Sequence, residues 1–518
     1  MFRHQTHLLC LLLSPWIALA SEETDSEFLS LDAAIEQALA NNLQLITQRY
    51  APANAQDDVV AEEAAFDPSI FSAASLSERQ AAASSSALDS ASVPESETRR
   101  AGAGVNKRLA TGADVTLDTN ITRSASNNNA ARNPDYGSNV GISIRQPLLK
   151  GAWARINLAP LARAKVNADQ TLYQLRSNIL DVITETEIAY WNIAFARALL
   201  ELSASSLKLA ETLLEETRER ERLGIVTRID VLQAETELVT QQEDIIQAER
   251  AIEDAEDELR RLMSNVSFLD TINTEIAVHP LPEKMQALRD MPLVVADTIR
   301  SDADAAAQER AIEVARINAM LAKDKTRLDL DMFGELEYSG RDEDGKRSFE
   351  GAYGADGYGW TVGVELNMPW GFRDARASVR QAERALERET VELYDIKQQK
   401  ALAARNVWRA VSTGLKRIEV TEKSRRLNEE SFEEVRARYS SGLVAYRQVL
   451  EAQRDFDTAR RNHLSAVIET LRAQVRLSRI DGTILTRNNY DWSLADRLAE
   501  EPEVDQHPLA GEITAPDS

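Results

Sequence analysis

The chain is poor in the residues that do most protein chemistry. Its 518 residues include one cysteine and five histidines. Aromatics amount to 6%, with 20 glycines and 14 prolines. So few turn residues in so long a chain predict long helices. Basic side chains are outnumbered, 60 against 84 acidic, for a net charge of −24. That balance argues against nucleic acid as a partner, because phosphates demand a basic face. Beyond the N-terminus no run of ~18 consecutive apolar residues occurs, so no transmembrane helix is expected. Such a chain can still cross a membrane as a closed β-barrel. At 43% hydrophobic and 28% charged residues, a large core is expected rather than global disorder.

Residues 1–20 read as a signal peptide. Arg3, His4 and His7 give a positive start, Leu8 to Leu13 an apolar stretch, and Ala18-Leu19-Ala20 a cleavage signal before Ser21. Cys10 lies in mid-stretch, which is no lipoprotein pattern. The mature chain would hold 59 basic and 84 acidic side chains and no cysteine. Disulfides, thiolate metal sites and cysteine nucleophiles are then excluded. His279, His463 and His507 remain, far apart, so a histidine metal site or a Ser-His-Asp triad is poorly supported. No glycine-rich phosphate loop or nucleotide fingerprint occurs. No cofactor and no enzymatic activity are expected.

The most regular pattern runs from Ala168 through Leu175, Ile179, Val182, Thr186, Ala189, Ile193 and Ala196 to Ala210 and Leu214. Its steps alternate four and three, a 3.5-residue period that specifies left-handed coiled-coil packing. Leu180, Ile183, Ala194, Ala198, Leu202 and Leu209 form a second stripe, which predicts neighbours on two sides. The helix is expected from about Asn157 to Leu223, roughly 100 Å of rod. A second long helix is expected over Asp374–Arg438. Shorter ones are expected over Ser30–Glu63, Ile229–Met263, Ala303–Lys325 and Arg447–Leu477, with Ser30 as an N-cap.

The chain repeats itself. Gly224-Ile225-Val226 precedes Val231-Leu232-Gln233-Ala234, and in the second half Gly442-Leu443-Val444 precedes Val449-Leu450-Glu451-Ala452 with the same internal spacing. Glu216, Arg218 and Arg220 match Glu434, Arg436 and Arg438 at the offset that relates the two glycines. So many landmarks in order indicate a tandem duplication. The expected organisation is a first repeat over 21–264, with strands about 66–147. A connecting segment covers 265–302. A second repeat covers 303–485, with strands about 328–369. An acidic tail over 486–518 is expected to be disordered.

Both halves contain strand-like alternation. Val115, Leu117, Thr119 and Ile121 alternate with polar residues, as do Val140, Ile142 and Ile144. Leu330, Met332, Gly334, Leu336 and Tyr338 do so in the second half, and so do Val362, Val364, Leu366 and Met368. Strands of this kind joined by polar loops (Ser124–Ser138, Gly340–Gly359) follow the outer-membrane barrel pattern, though soluble hairpins alternate too. Two hairpins cannot close a barrel, so a barrel would need several chains.

These residues are similar to the TolC family of outer-membrane efflux channels. The run from Ser30-Leu31-Asp32-Ala33 to Asn41-Asn42 resembles the family's opening helix. Gln146-Pro147-Leu148-Leu149-Lys150-Gly151 resembles its strand-to-helix junction, and Ala189-Tyr190-Trp191-Asn192 its mid-helix signature. The Gly-led turns followed by V-L-x-A resemble its tip hairpins. The resemblance spans about Leu31 to Leu485. It implies a mainly α fold with β: a homotrimer sharing one β-barrel in outer-membrane lipid, and a long α-helical coiled-coil tunnel in the periplasm. It also implies two partners, a periplasmic adaptor (membrane fusion) protein and an inner-membrane transporter of a tripartite efflux or type I secretion system. A pore-free periplasmic coiled-coil scaffold is the alternative.

One feature departs from the family pattern of four membrane strands per chain. Phe66-Asp67-Pro68 leads into Ser69–Glu78, which reads as a strand, and Arg100–Leu109 reads as another. The extra pair could lie outside the membrane or enlarge the barrel. Ala81–Ser96 between them is expected to be a flexible Ser/Ala-rich loop.

The resemblance implies an adaptor-docking site at the tips: Arg220, Arg222, Gly224, Ile225 and Val226, with Arg438, Gly442, Leu443 and Val444. The valines, Ile225 and Leu443 are expected to stand exposed as apolar knobs. A plain hairpin turn with helix-end arginines is the other reading. The periplasmic gate of the family maps to Asp230 and Gln233 in the first repeat and to Gln448 and Glu451 in the second. Asp230 and Glu451 also suit the first turn of a helix in any protein.

Overall fold

The computed structural model describes residues 28–80, 95–127, 132–263, 275–490 and Ser493. The expected signal peptide, nearly all of the Ser/Ala-rich loop and the tail beyond residue 490, Ser493 excepted, lie outside the described residues.

The first half runs α1 (Leu31–Asn41), α2 (Leu43–Ala64), β1 (Ser69–Gln80), β2 (Glu95–Arg108), β3 (Asp114–Ser126), β4 (Asp135–Pro147), α3 (Ala154–Asn157), α4 (Ala159–Arg222) and α5 (Arg228–Met263). The second runs α6 (Met291–Ser301), α7 (Ala303–Asp324), β5 (Asp329–Asp342), α8 (Gly345–Tyr353), β6 (Gly357–Asn367), α9 (Arg373–Ser440), α10 (Tyr446–Ile480) and α11 (Thr483–Arg487).

Ser30 caps α1, its Oγ accepting the Ala33 N–H at 3.1 Å. The single helix expected over Ser30–Glu63 is broken at Asn42. This residue is extended, its Oδ1 accepts the Leu45 N–H at 3.0 Å, and its Nδ2 donates to the Leu262 carbonyl at 3.1 Å. Asn42 thus caps α2 and ties it to the end of α5. The same device recurs at Asp302, whose carboxylate accepts the Ala305 N–H at 2.8 Å between α6 and α7. Both pairs have 11 and 22 residues. The pair α6–α7, which begins at Met291, is thus the counterpart of α1–α2 in length and in its capped break.

The two halves differ in length before their long helices. Far more chain separates the ends of α2 and α7, Ala64 and Asp324, than separates the ends of α4 and α9, Arg222 and Ser440. The excess lies in the first half, where one additional hairpin, β1–β2, and its loop are inserted. All six strands form one antiparallel sheet in the order β1-β2-β3-β4-β5-β6. Its faces differ. Leu330, Met332, Leu336 and Tyr338 pair with Leu366, Val364, Trp360 and Tyr358 on one. On the other, Arg145 reaches Asp331 at 3.1 Å and Glu365 at 2.8 Å. The loop expected over Gly340–Gly359 contains α8. Asp344 caps it by accepting the Lys346 and Arg347 N–H groups. Ser348 Oγ then pins the helix to the sheet, bonding Ser138 Oγ and the Gly340 carbonyl, both at 3.0 Å.

The 64 residues of α4 make a rod of about 96 Å. It packs on α1, α2, α5, α7 and α10, as its two apolar stripes require. The main core lies at its middle, where Leu175, Ile179, Ile183, Tyr190 and Ile193 meet Ile35, Leu39, Leu259 and Leu262. Tyr190 is fully buried, and its hydroxyl donates to the Leu29 carbonyl at 2.9 Å and accepts the His279 N–H at 3.0 Å. By contrast α9, with 68 residues, buries only Ala375, Ala404, Val411, Phe432 and Tyr439. Among the described residues no helix is long and apolar enough to cross a membrane.

Candidate functional site: the paired helical tips

Each long helix ends in the same turn. Gly224 has φ 75°, its N–H donates to the Glu221 carbonyl at 2.8 Å, and the Ile225 N–H donates to the Arg220 carbonyl at 2.9 Å. Gly442 has φ 73°, with its N–H on the Tyr439 carbonyl at 3.0 Å and the Leu443 N–H on that of Arg438 at 2.9 Å. This pair of hydrogen bonds around a left-handed residue is the Schellman ending, which strongly favours glycine. The chain then starts the return helices α5 and α10.

The apolar residues at the turns divide. Ile225 and Leu443 stand out at 63% and 75% exposure. Val226 and Val444, expected to be exposed, are half-buried, and Val444 packs on the core beneath the tips. The reason is geometric: the residue two past the glycine already turns back toward the partner helix.

The arginines divide as well. Arg220 reaches across to the second hairpin. It donates to the Tyr439 carbonyl at 2.7 Å and the Ser440 carbonyl at 3.2 Å, and its guanidinium sits 4.2 Å from the Tyr439 ring centre. It therefore complements a helix C-terminus, but that of the other repeat. Arg222 pairs with Glu219 at 2.9 Å and Arg438 with Glu434 at 2.8 Å, each within its own helix and mostly exposed.

Asp230 serves its own helix start. Its Oδ2 accepts the Thr227 N–H at 2.8 Å and the Thr227 hydroxyl at 2.7 Å, a capping arrangement. In the second repeat Ala445 and Gln448 occupy the equivalent positions, and Ala445 makes no side-chain cap. Gln233 is half-buried and Gln448 exposed. Glu451 is exposed and accepts from Arg447 at 3.0 Å, so its charge is locally balanced.

Beneath the tips lies a joint between the two hairpins. Leu213, Leu214, Val231 and Ala234 pack with Phe432, Tyr439, Tyr446, Val449 and Leu450. Burial pushes the Tyr446 phenol well above its ordinary value. Deeper along α10 the joint turns polar. Gln453 is fully buried and neither of its amide atoms has a protein partner. One turn further, buried Asp457 accepts from Ser206 on α4 at 2.8 Å, while its other oxygen is unpartnered. Burial raises the Asp457 carboxyl above the ordinary value of 3.8. Ion pairs between the two repeats bridge the flank, Arg454–Glu237 at 2.8 Å and Arg461–Asp244 at 3.0 Å. On the α9–α10 side, Arg425 holds the Glu422 carboxyl down to about 2, and burial lowers His463 beside it. Sequence reasoning missed this joint. Its one signal was spacing, since Glu237 with Arg454 and Asp244 with Arg461 share one separation, 217, close to the offset between the tip glycines. Among the described residues no group of three or more His, Asp or Glu gathers to hold a metal.

Comparison with known proteins assigns the class. The chain matches the family "Outer membrane efflux protein" over residues 112–265 and 294–483, which is well over half its length, and it belongs to that family. The fold is similar to that of the Campylobacter jejuni CmeC outer membrane channel, at TM-score 0.66 and 15% identity over 92% of this chain and 90% of that one. It is similar to VceC of Vibrio cholerae, at 0.64 and 16% over 87% and 96%. The open state of the Neisseria gonorrhoeae MtrE channel gives 0.59 and 18% over 87% and 88%. At the level of sequence alone, no curated protein matches significantly.

Two outcomes follow for the tips. Arg220→Ala should destabilise the joined tips by about 2 kcal/mol, since it removes charged hydrogen bonds to two helix-end carbonyls and a ring contact. Arg438→Ala should cost under ~0.5 kcal/mol, the range of an exposed pair within one helix. Thermal melting with limited proteolysis of the tips reads both, and equal effects would refute the assignment. The second outcome concerns Asp457. An acid whose folded pKa is raised burdens the fold once ionised, so its penalty is absent below the ordinary value and grows as pH rises through the raised one. Asp457→Asn should therefore raise the melting temperature at pH 7, and the gain should vanish by about pH 4.

Proposed function

We infer that this chain is the outer-membrane conduit of a tripartite efflux or type I secretion system. In this reading it works as a homotrimer with a periplasmic adaptor and an inner-membrane transporter. The observation that carries the reading is the joining of two unlike parts in one chain. A sheet with one apolar and one polar face sits at one end of ~100 Å helical hairpins whose tips are built for exposure. A pore-free scaffold would have no use for exposed Tyr358, Trp360, Val362, Val364 and Leu366 along β6.

Assembly is supported by what a single chain leaves uncovered. On α9, Val391, Tyr394, Val420 and Leu427 are exposed, as are Val239 and Ile246 on α5. These are the outer flanks of the two hairpins, and copies set side by side would cover α9 of one with α5 of the next. Adaptor docking is supported by the exposed pairs Ile225/Leu443 and Arg222/Arg438, which present the same chemistry twice per chain. Arg220 belongs to the joint instead. The gate reading of Asp230, Gln233, Gln448 and Glu451 would leave Glu451 acting beside Arg447 rather than as a bare acidic ring.

The reading is tested in planar bilayers and in cells. Purified protein should give discrete ionic currents, and Leu443→Asp with Ile225→Asp should lower crosslinking to a co-expressed adaptor at least fivefold without lowering channel yield. A bilayer that stays sealed with well-folded protein would overturn the conduit, and intact crosslinking in the double variant would move docking elsewhere.

A further inference from the structure

We propose that the additional hairpin β1–β2 is membrane wall, and that three copies close an 18-stranded barrel in which β1 of each chain pairs with β6 of the next. The proposal rests on the outer-membrane reading above and extends it.

The first argument is phase. Through the ladder, Ile70, Val105, Leu117, Ile142, Leu336 and Trp360 form one row across all six strands on the same face. The adjacent row, on the opposite face, reads Phe71, Gly104, Asp118, Gly141, Glu337 and Gly359. A register slip of one residue would turn every side chain over. The extra hairpin therefore continues the apolar face of β3–β6 in step, with Ile70 83% and Leu76 69% exposed. A hairpin meant for water would not carry that face.

The second argument is height. On the apolar face of β2, Val105, Ala103 and Ala101 are bracketed by Lys107 and Arg99. The strand between the two cations rises about 27 Å at ~3.4 Å per residue, or about 20 Å of height once the strand is tilted. That is close to the outer-membrane apolar band, with cations at both rims.

The third argument is the edges. β3 is paired to β2 from Asp114 to Ser126, so it offers no free edge for closure. The free edges are β1 and β6, with 12 and 11 residues. In lipid neither can remain unpaired. With six antiparallel strands, β6 of one copy and β1 of the next run antiparallel, so closure needs no reversal. The two hairpins also share a device. A Cβ at Gly104 would lie 2.4 Å from Phe71 Cζ, and one at Gly363 would lie 2.6 Å from Phe333 Cζ. Each phenyl ring covers the glycine opposite it, a pairing that secures register.

Barrel diameter grows roughly in proportion to strand number. Eighteen strands in place of twelve widen the exit about 1.5-fold and its cross-section about twofold. The outer portal would then pass bulkier solutes than a twelve-stranded one.

Disulfide trapping tests this in the full chain carrying Cys10→Ser. One arm combines Ala73→Cys in β1 with Gly359→Cys, Thr361→Cys or Glu365→Cys in β6, each made singly. The other combines Asn120→Cys in β3 with the same β6 positions. Oxidation should shift β1–β6 protein from one-chain to two- and three-chain mass on denaturing gels for at least one β6 position, and leave β3–β6 protein unshifted. Trapping of β3 with β6 would overturn the proposal, because the extra hairpin then lies outside the wall. If neither arm traps, the proposal fails also. The mass of the undenatured protein in detergent then tells whether the trimer survives or falls with it.

Discussion

A sheet in lipid has nowhere to leave an unpaired backbone N–H or C=O, and the rest of this structure depends on that constraint. One chain contributes six strands and two open edges. Neither edge can be satisfied within the chain, so the sheet alone demands copies. The helices state the same demand in apolar terms. α4 packs on α1, α2, α5, α7 and α10, whereas α9 of nearly equal length buries five residues. A chain with two raw sheet edges and two uncovered helix flanks is a segment of a ring rather than a finished object.

The duplication explains how a segment can fit a ring at both ends. Each repeat supplies a broken helix pair, strands, a long helix, a tip and a return helix. The joint between the two repeats sets α4 against α10 along the length of the hairpins. Its character changes along that length. Near the tips it is apolar and clamped by Arg220 on the end of α9. Farther from the tips it holds Gln453 and Asp457, buried with unmet hydrogen-bonding capacity. Buried polar groups of this kind weaken an interface while keeping it specific. The two hairpins are therefore joined by apolar packing at their tips and by polar contacts and ion pairs above them, Arg454 to Glu237 and Arg461 to Asp244 among them.

Much of this was legible in the sequence because it depends on spacing. The 3.5-residue period of α4, the shared offset of the motifs around the two tips and the glycines at 224 and 442 all express local geometry, and the long helices begin and end within a few residues of expectation. The break at Asn42 was not legible. An asparagine within an apolar repeat carries no sign of whether it faces water or caps a second helix, and the Leu262 carbonyl that decides the matter lies 220 residues away. The helix α8 was hidden for a similar reason, since its short span is held by Ser138 and Gly340 rather than by its own propensity. At the tips the residue types were legible but their partners were not. Arg220 and Arg438 are equivalent by repeat, yet the first bonds the neighbouring hairpin and the second its own helix. Asymmetry between two copies of one motif arises only when they are packed side by side.

Closure by identical copies is the central claim. Its most direct test is the mass of the full chain purified from outer membranes in mild detergent, by light scattering with the detergent contribution subtracted. A single species of three chains is expected, the full chain being 57.6 kDa, that falls apart on denaturation. A stable one-chain species with its full helical content in detergent-free buffer would contradict it.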